Sequence, residues 1–409
     1  MAGTPGTPRV LRAMNDRAAL DLLLEHGPLS RTKIGKLTGL SKPTASQLLV
    51  RLETAGLVVA TGTTEGRPGP NAQLYAVNAR AAHVAGLDVT PRRIRAAVAD
   101  LAGHTVGEFE LPTPGRRADS VVRQVTDALD GAVKAAGLTR AELHRVVIGT
   151  PGAFDPGTGR LRYASHLPGW HSPALLEELA AVLPMPVGYE NDVNLAAVAE
   201  QRLGAARGHE NFVLLWSEEG IGAALVIGGK LHRGWTGGAG ELGFMPVPGT
   251  PLVRQVAKAN SGGFQELAGS QSVPRLARSL GIETPQHPYT EIGAALLARA
   301  AAAGRAEPGD EEPNAEQLAE FLRQYAQRLA TGLASVVAVL DPELIVLSGA
   351  LTSAGGEPLR SLVQAELAEL AASRPRLVIG EVLQHPVLRG ALESALATSR
   401  DEVFDTSRQ

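Results

Sequence analysis

The first eighty residues read as short amphipathic helices punctuated by glycine. In "NDRAALDLLLEHG" Ala18, Leu22 and Leu23 fall at helical spacing, and Gly27 stops the run. "LSRTKIGKLTG" follows, with Ser30 placed to cap it and Gly39 to end it. A third helix is predicted in "LSKPTASQLLVRLETAG": Ser41 offers the cap, Pro43 suits the first turn, Leu48, Leu49 and Leu52 share one face, and Gly56 closes it. The period then changes. "LVVAT" alternates as a strand, "TGTTEGRPGPN" is a glycine-proline tip, and "AQLYAV" returns as a second strand. Three helices followed by a β-hairpin predict a winged helix-turn-helix over residues 1–80.

From about Ala82 the pattern becomes strands alternating with helices. "HVAGLDVTPRRIRAAVADLAG" predicts strand, turn and strand, and "HRVVIGTPGAFD" a buried strand entering a glycine-proline loop. "VGYENDVNLAAVAEQRLGAA" reads as a strand end followed by a helix, and "PELIVLSGAL" as a late strand stopping at small residues. Such alternation predicts an α/β body whose strand-end loops form a crevice.

Composition changes this picture in three ways. The 409-residue chain is 44% hydrophobic and 20% charged, an ordinary globular balance, with no run of eighteen apolar residues and no signal-like start. A cytoplasmic protein free of the membrane is expected. There is no cysteine, which excludes disulfides and thiolate metal sites. The net charge of −3 divides unevenly: residues 1–80 hold ten Lys/Arg against five Asp/Glu, and the remainder 29 against 37. A basic head on an acidic body points the head at a polyanion.

The predicted recognition helix presents Lys42, Thr44, Ser46 and Gln47 in its first turns, groups able to meet phosphates or base edges, while its leucines face inward. Arg67 at the wing tip is placed to enter a minor groove. Double-stranded operator DNA is therefore the expected partner. One winged helix makes few contacts, so the expected assembly is a homodimer or a dimer of dimers.

The head, followed in order by "VVIGTPGAFDPGTGRLRYASHLPGW", "ENDVNLAAVAE", "GIGAALVIGGKLHRGWTGGAGELGFMPV" and "DPELIVLSGAL", resembles the ROK family of repressors, open reading frames and sugar kinases, in particular its transcriptional regulators. The resemblance spans nearly the whole chain. It implies an α/β fold with a two-lobed, actin-like ATPase body: one lobe over 81–200, and a second over 201–409 whose C-terminal helices return to the first.

Against that resemblance the two phosphate loops depart. Where family kinases carry a motif similar to Asp-x-Gly-Gly-Thr, this chain has Asp88-Val89-Thr90-Pro91-Arg92, and Pro91 has no N–H to give. Where they carry one similar to Gly-Thr-Gly-Ile-Gly, it has Glu218-Glu219-Gly220-Ile221-Gly222. A carboxylate about 4 Å from a phosphate charge is repelled by roughly 4 kcal/mol at an effective dielectric of 20. The expectation is a former kinase kept as a sensor, with no catalytic residue and no cofactor.

For an effector, the resemblance implies a sugar or related metabolite held by Gly152, Ser165, His166, Asn191, Asp192, Glu241 and Glu266. Asp192 matches the kinase general base and, without a γ-phosphate, can only bind. Asn191-Asp192 also suits a helix N-cap, and the two roles are compatible. Phe244 stands where family members carry a histidine that holds sugar and zinc, and "RQVAKANSGGFQE" replaces their cysteine zinc loop, so no zinc is expected. His209, His232 and His287 lack metal-ligand spacing. Trp170 and Trp235 border the motifs; core packing is expected of them ahead of sugar stacking. Two other functions remain open from sequence: a sugar kinase with an appended head, and a regulator whose vestigial cleft is bypassed by a protein partner.

Overall fold

A computed structural model describes residues 8–63, 72–113, 120–155, 157–158, 160–162, 167, 169–170, 172, 174–254, 262–285, 288–303 and 314–406. Arg67, Ser165, His166 and His287 lie outside these residues. The head comprises α1 (Pro8–His26), β1 (Leu29–Ser30), α2 (Arg31–Thr38), α3 (Lys42–Thr54) and the hairpin β2 (Val58–Thr63) with β3 (Gln73–Val77). The body continues with β4 (His83–Val89), β5 (Arg93–Asp100), β6 (Thr105–Pro112), α4 (Val121–Ala135), β7 (Leu143–Thr150), the short pair β8 (Ala153–Asp155) and β9 (Arg160–Arg162), α5 (Leu175–Val182), β10 (Val187–Asn191) and α6 (Asp192–Leu203). Then come β11 (Phe212–Ser217), β12 (Ile221–Ile227), β13 (Lys230–Leu231), α7 (Gly263–Ala268), α8 (Ser272–Ser279), α9 (Tyr289–Ala303), α10 (Ala315–Leu340), β14 (Leu344–Ser348), α11 (Ala350–Leu370), β15 (Arg376–Ile379) and α12 (Pro386–Val403).

Two compact units result. The first takes Met1–Gly149, Ala174–Tyr189 and Ala391–Gln409; the second takes Thr150–Pro173 and Glu190–Gly390. Each is built on a five-stranded sheet, in the orders β10-β7-β4-β5-β6 and β13-β12-β11-β14-β15. The sheets follow one recipe. Their central strands β4 and β11 pair antiparallel with the next strand and parallel with β7 or β14. Central strands must be apolar on both sides, and "HVAGLDV" and "FVLLWS" are almost wholly buried. The edge strand β6 is mostly exposed and carries Glu108 and Glu110 beside the exposed Val106 and Phe109. Among the described residues no helix is long and apolar enough to cross a membrane.

In the head the caps fall as the sequence predicts. Ser30 Oγ accepts from Lys33 N at 3.3 Å and Ser41 Oγ from Thr44 N at 3.4 Å. Gly27, Gly39 and Gly56 all take the left-handed conformation that ends a helix. Leu48, Leu49 and Leu52 are buried. The face of α1 is a correction: Ala18 is exposed, and Asp16, Ala19, Leu20 and Leu23 are the buried positions. "AALDLLL" is apolar around most of its circumference, so periodicity alone left the phase open. Packing against α3 set it, because Arg51 Nη2 donates to the buried Asp16 Oδ1 at 2.6 Å.

The head's core is not self-contained. Phe404, 1% exposed, and Leu101 join Leu20, Ile34, Leu48 and Leu52 in one cluster. Around Phe404, Arg17 lies 5.6 Å from the ring centroid and donates to Asp401 at 2.7 Å, while Thr406 Oγ1 donates to Asp16 Oδ2 at 3.1 Å. Arg400 Nε also donates to the Leu101 carbonyl at 3.0 Å. The chain's C-terminal end thus completes the fold of its N-terminal domain. Phe404→Ala should cost about 3–5 kcal/mol, the usual loss for a buried phenylalanine. A 1–80 fragment, lacking Leu101 and Phe404, should melt far below the full chain by circular dichroism. A fragment as stable as the intact head would show that this cluster does not carry it.

Candidate functional site

Two surfaces collect the chemistry. On α3, Lys42, Thr44 and Gln47 are exposed at the amino-terminal end of the helix. Thr44 Oγ1 pairs with Ser41 Oγ at 2.8 Å. Ser46, half-buried, donates to the Lys42 carbonyl at 3.0 Å and accepts from Arg31 Nη1 at 3.1 Å. Its hydroxyl is thus engaged within the head. Arg31 opens α2 and joins exposed Lys33, Lys36 and Lys42 on the helix-turn-helix, a cationic group that the sequence reading passed over. Only the fold brings Arg31 to the side of Ser46.

The second surface is a small cavity of about 190 Å³ within the second unit, lined among others by Gly152, Asn191, Asp192, Trp216 and Glu241. Of the effector residues expected from sequence and described here, it brings together Gly152, Asn191, Asp192 and Glu241. Glu266 does not line it: that carboxylate, on α7, accepts from Arg275 Nη1 at 2.7 Å. Phe244 does not line it either and sits half-buried on the short turn Leu242–Phe244 after Glu241.

The cavity is assembled from one helix start and one hairpin. Asn191 caps α6, its Oδ1 accepting from Asn194 N at 3.1 Å, while its Nδ2 donates to the Gly152 carbonyl at 3.1 Å. Asp192 Oδ1 accepts from Val193 N at 2.9 Å, which leaves Asp192 in the first turn, where the helix dipole suits a carboxylate. Beneath them is Glu190, 9% exposed, which accepts from Asn191 N at 3.0 Å, Asn194 Nδ2 at 2.8 Å and Arg233 Nε at 2.6 Å. Glu190 belongs to the site's frame, and sequence reading missed it. A carboxylate beside an Asn-Asp cap carried no signal of its own, since its partner Arg233 lies 43 residues away. On the other side the β11–β12 hairpin pairs Trp216 with Gly222, and Ala223 N donates to the Gly240 carbonyl at 2.8 Å. Gly240 has φ 96°, and a side chain there would collide with the Ala223 carbonyl, so this approach requires glycine.

The tryptophans divide. Trp170 is buried, as expected, at 5% exposure; Trp235 is 94% exposed, which overturns the expectation of core packing. Its neighbours "RGWTGG" explain this: a glycine-flanked indole has no apolar partners along the chain to draw it inward. Among the described residues no group of three or more His, Asp and Glu could hold a metal.

The two loops matched to phosphate motifs find hydrogen-bond partners within the chain. In Ser217–Gly222, Glu218 N donates to the Gly220 carbonyl at 3.1 Å, and Ile221 N donates to Gln265 Oε1 at 2.8 Å. The Glu219 carbonyl accepts from Gln265 Nε2 at 3.3 Å and Ser270 Oγ at 2.9 Å. In the β4–β5 turn, Thr90 N donates to the Arg93 carbonyl at 2.9 Å and Arg93 N to Thr90 Oγ1 at 3.2 Å. Asp88, at the end of β4, is buried, which raises its pKa against the opposing pull of Arg93 and Arg95.

The sequence profile of the ROK family matches residues 84–398, and that of the MarR family matches 14–67. A putative xylose repressor of Caldicellulosiruptor sp. (strain Rt8B.4) is 24% identical over 368 residues, 88% of this chain and 89% of its own. A ROK hexokinase from Thermus thermophilus superposes with a TM-score of 0.62 at 28% identity, over 78% of this chain and 99% of its own. A ROK family transcriptional regulator, a homologue of the E. coli MLC protein, does so at 0.70 and 20% identity, over 94% of this chain and 96% of its own. The fold is accordingly a helix-turn-helix head on an actin-like, sugar-kinase-type body.

Burial raises the pKa of Glu241 above its ordinary 4.5. An acid whose folded pKa is raised favours folding below its unfolded pKa, and that contribution is lost as pH climbs through the folded value. Glu241→Gln, which cannot ionise, should therefore match wild type near pH 4 and be more stable than it at pH 8. Melting curves of both proteins across this range check the sign. A variant less stable than wild type at pH 8 would mean that the ionised carboxylate has a stabilising partner.

Proposed function

The chain belongs to the ROK family, and we propose that it is a DNA-binding repressor whose sugar-kinase-type body senses a sugar without phosphorylating it. The observation that carries this reading is a contrast within one unit. The cavity keeps room beside Asp192 and Glu241, whereas on the hairpin that forms its other wall the Ile221 N–H is already donated to Gln265. A phosphate bound there would have to displace that bond and sit against Glu218 and Glu219. The MarR-type head and the repressor among the relatives support the regulatory half. The hexokinase likeness supports the sugar half, since Asp192 and Glu241 are groups that hold vicinal hydroxyls well.

Regulation follows from differential affinity: a ligand shifts DNA binding only if it prefers one conformation of the protein. α12 carries the chain from the second unit into the first. At its start Gly390 abuts the Leu195 carbonyl of α6, the helix whose first residues line the cavity; past its end Phe404 completes the head's core. We assign DNA contact to Lys42, Gln47 and Arg31 on the head, in a homodimer or a dimer of such dimers on paired half-sites.

Two experiments test these assignments. For the ligand, D-xylose and D-glucose are titrated against the full chain by thermal shift, with Mg-ATP in parallel. A sugar should raise the melting temperature and Mg-ATP should not; Asp192→Ala should weaken the sugar about tenfold to a hundredfold. Saturable ATP binding with sugar phosphorylation would make the chain a kinase instead. For DNA, a bound duplex is first selected from a random library. Lys42→Ala and Arg31→Ala should then each weaken binding and flatten its salt dependence by about one unit of slope. Wild-type binding by both variants would remove α2 and α3 from the interface.

A further inference from the structure

We infer that Trp235 is the aromatic wall that closes the cavity over its ligand, stacking its indole on the apolar C–H face of a monosaccharide ring; this rests on the sugar-sensing reading above. The indole is 94% exposed, whereas Trp170 is buried and Trp216 is half-buried at the cavity itself. A fully solvated indole forgoes the burial that such a ring ordinarily gains, and Trp235 is the one tryptophan of the three so placed.

The loop that carries it is fixed at its ends and free at its tip. Arg233 is tied to Glu190 at 2.6 Å, and Ala239 N donates to the Arg233 carbonyl at 3.1 Å, so the segment between them bows outward with Trp235 on it. The end of the same loop is the cavity wall: Gly237, Ala239, Gly240 and Glu241 line it. Trp235 is two residues from Gly237, at most about 7 Å along an extended chain. Gly234 and Gly237, at φ 72° and 78°, flank it in conformations that only glycine adopts freely. Trp235 is thus close along the chain to the residues that form the cavity wall.

Size and chemistry choose the occupant. A volume of about 190 Å³ corresponds to roughly six waters, the space of one sugar ring and little more. Asp192 and Glu241 take hydroxyl edges, which leaves the ring faces to be covered by something apolar. A sugar's C–H face carries a slight positive potential that suits the negative face of an indole. A ring held at its edges by carboxylates and on one face by Trp235 would be enclosed on sides that the cavity alone leaves to water.

The test compares wild type, Trp235→Leu, Trp235→Phe and Asp192→Ala, each as the full chain, with D-xylose and D-glucose. Affinity is read by thermal shift and ring burial by acrylamide quenching of tryptophan emission. A position this exposed tolerates substitution, and circular dichroism confirms that each variant is folded. The stabilising sugar should shield wild-type emission from acrylamide. It should lose this effect, and about threefold to tenfold in affinity, in Trp235→Leu, whereas Trp235→Phe should stay within about twofold. If Trp235→Leu binds like wild type while Asp192→Ala does not, the cavity stands and Trp235 has no part in it. If shielding persists in Trp235→Leu, it comes from Trp216 and the inference fails. If neither sugar affects wild type, the sugar-sensing reading falls and this inference with it.

Discussion

The buried carboxylate of Glu190 is the constraint on which the candidate site depends. It accepts from the backbone at Asn191, from Asn194 in the first turn of α6, and from Arg233 at the start of the tryptophan loop. An ionised group taken from water is tolerable only where donors replace the lost hydration, and these three do so. In exchange they fix three things at once: the cap of α6, hence the positions of Asn191 and Asp192; the side chain of Asn194, 2% exposed; and the start of the loop that supplies Glu241. Losing any donor would leave Glu190 short of compensation and loosen both walls of the cavity together. Polar groups that line the cavity are thus held in place by Glu190, Asn194 and Arg233, which do not line it themselves.

The β11–β12 and β4–β5 turns show how a tight turn between two strands finds its hydrogen-bond partners within the chain. A glycine turn between two strands presents N–H groups whether or not a phosphate arrives, and a buried or half-buried donor needs a partner. Gln265 supplies it. Its amide accepts from Ile221 N and donates to the Glu219 carbonyl, so one side chain satisfies both faces of the turn. Beside it Ser270 binds the same carbonyl. The β4–β5 turn is satisfied in the same manner by Thr90 and Arg93.

Much of this was legible in the sequence, for reasons that can be named. Helix caps at Ser30 and Ser41, the glycine stops and the two runs of strands are local signals, and local signals survive folding. Four motifs in order carried the family. What sequence could not supply was long-range pairing. Glu190 needed Arg233, Asp16 needed Arg51, Ile221 needed Gln265, and each partner lies between 35 and 44 residues away. The phase of α1 failed for the same reason, since its apolar residues surround most of the helix and a distant arginine chose the buried face. Glu266 matched a family position by motif, yet its carboxylate is spent on Arg275. Trp235 was misjudged because hydrophobicity predicts burial on average and cannot register a ring kept outside.

Asp16 ties the helices of the head to the segment beyond α12. A freely tethered DNA-binding domain would have a complete core and could not feel the rest of its chain. Here the buried carboxylate of α1 accepts from Arg51 on α3, the helix that presents Lys42 and Gln47, and from Thr406 beyond α12. Phe404, two residues before Thr406, fills the cluster on which Leu48 and Leu52 of α3 also rest. The recognition helix and the C-terminal end therefore share one carboxylate and one core. A displacement of the C-terminal segment must either carry α3 with it or leave Asp16 and the cluster partly unsatisfied, and both alternatives cost free energy.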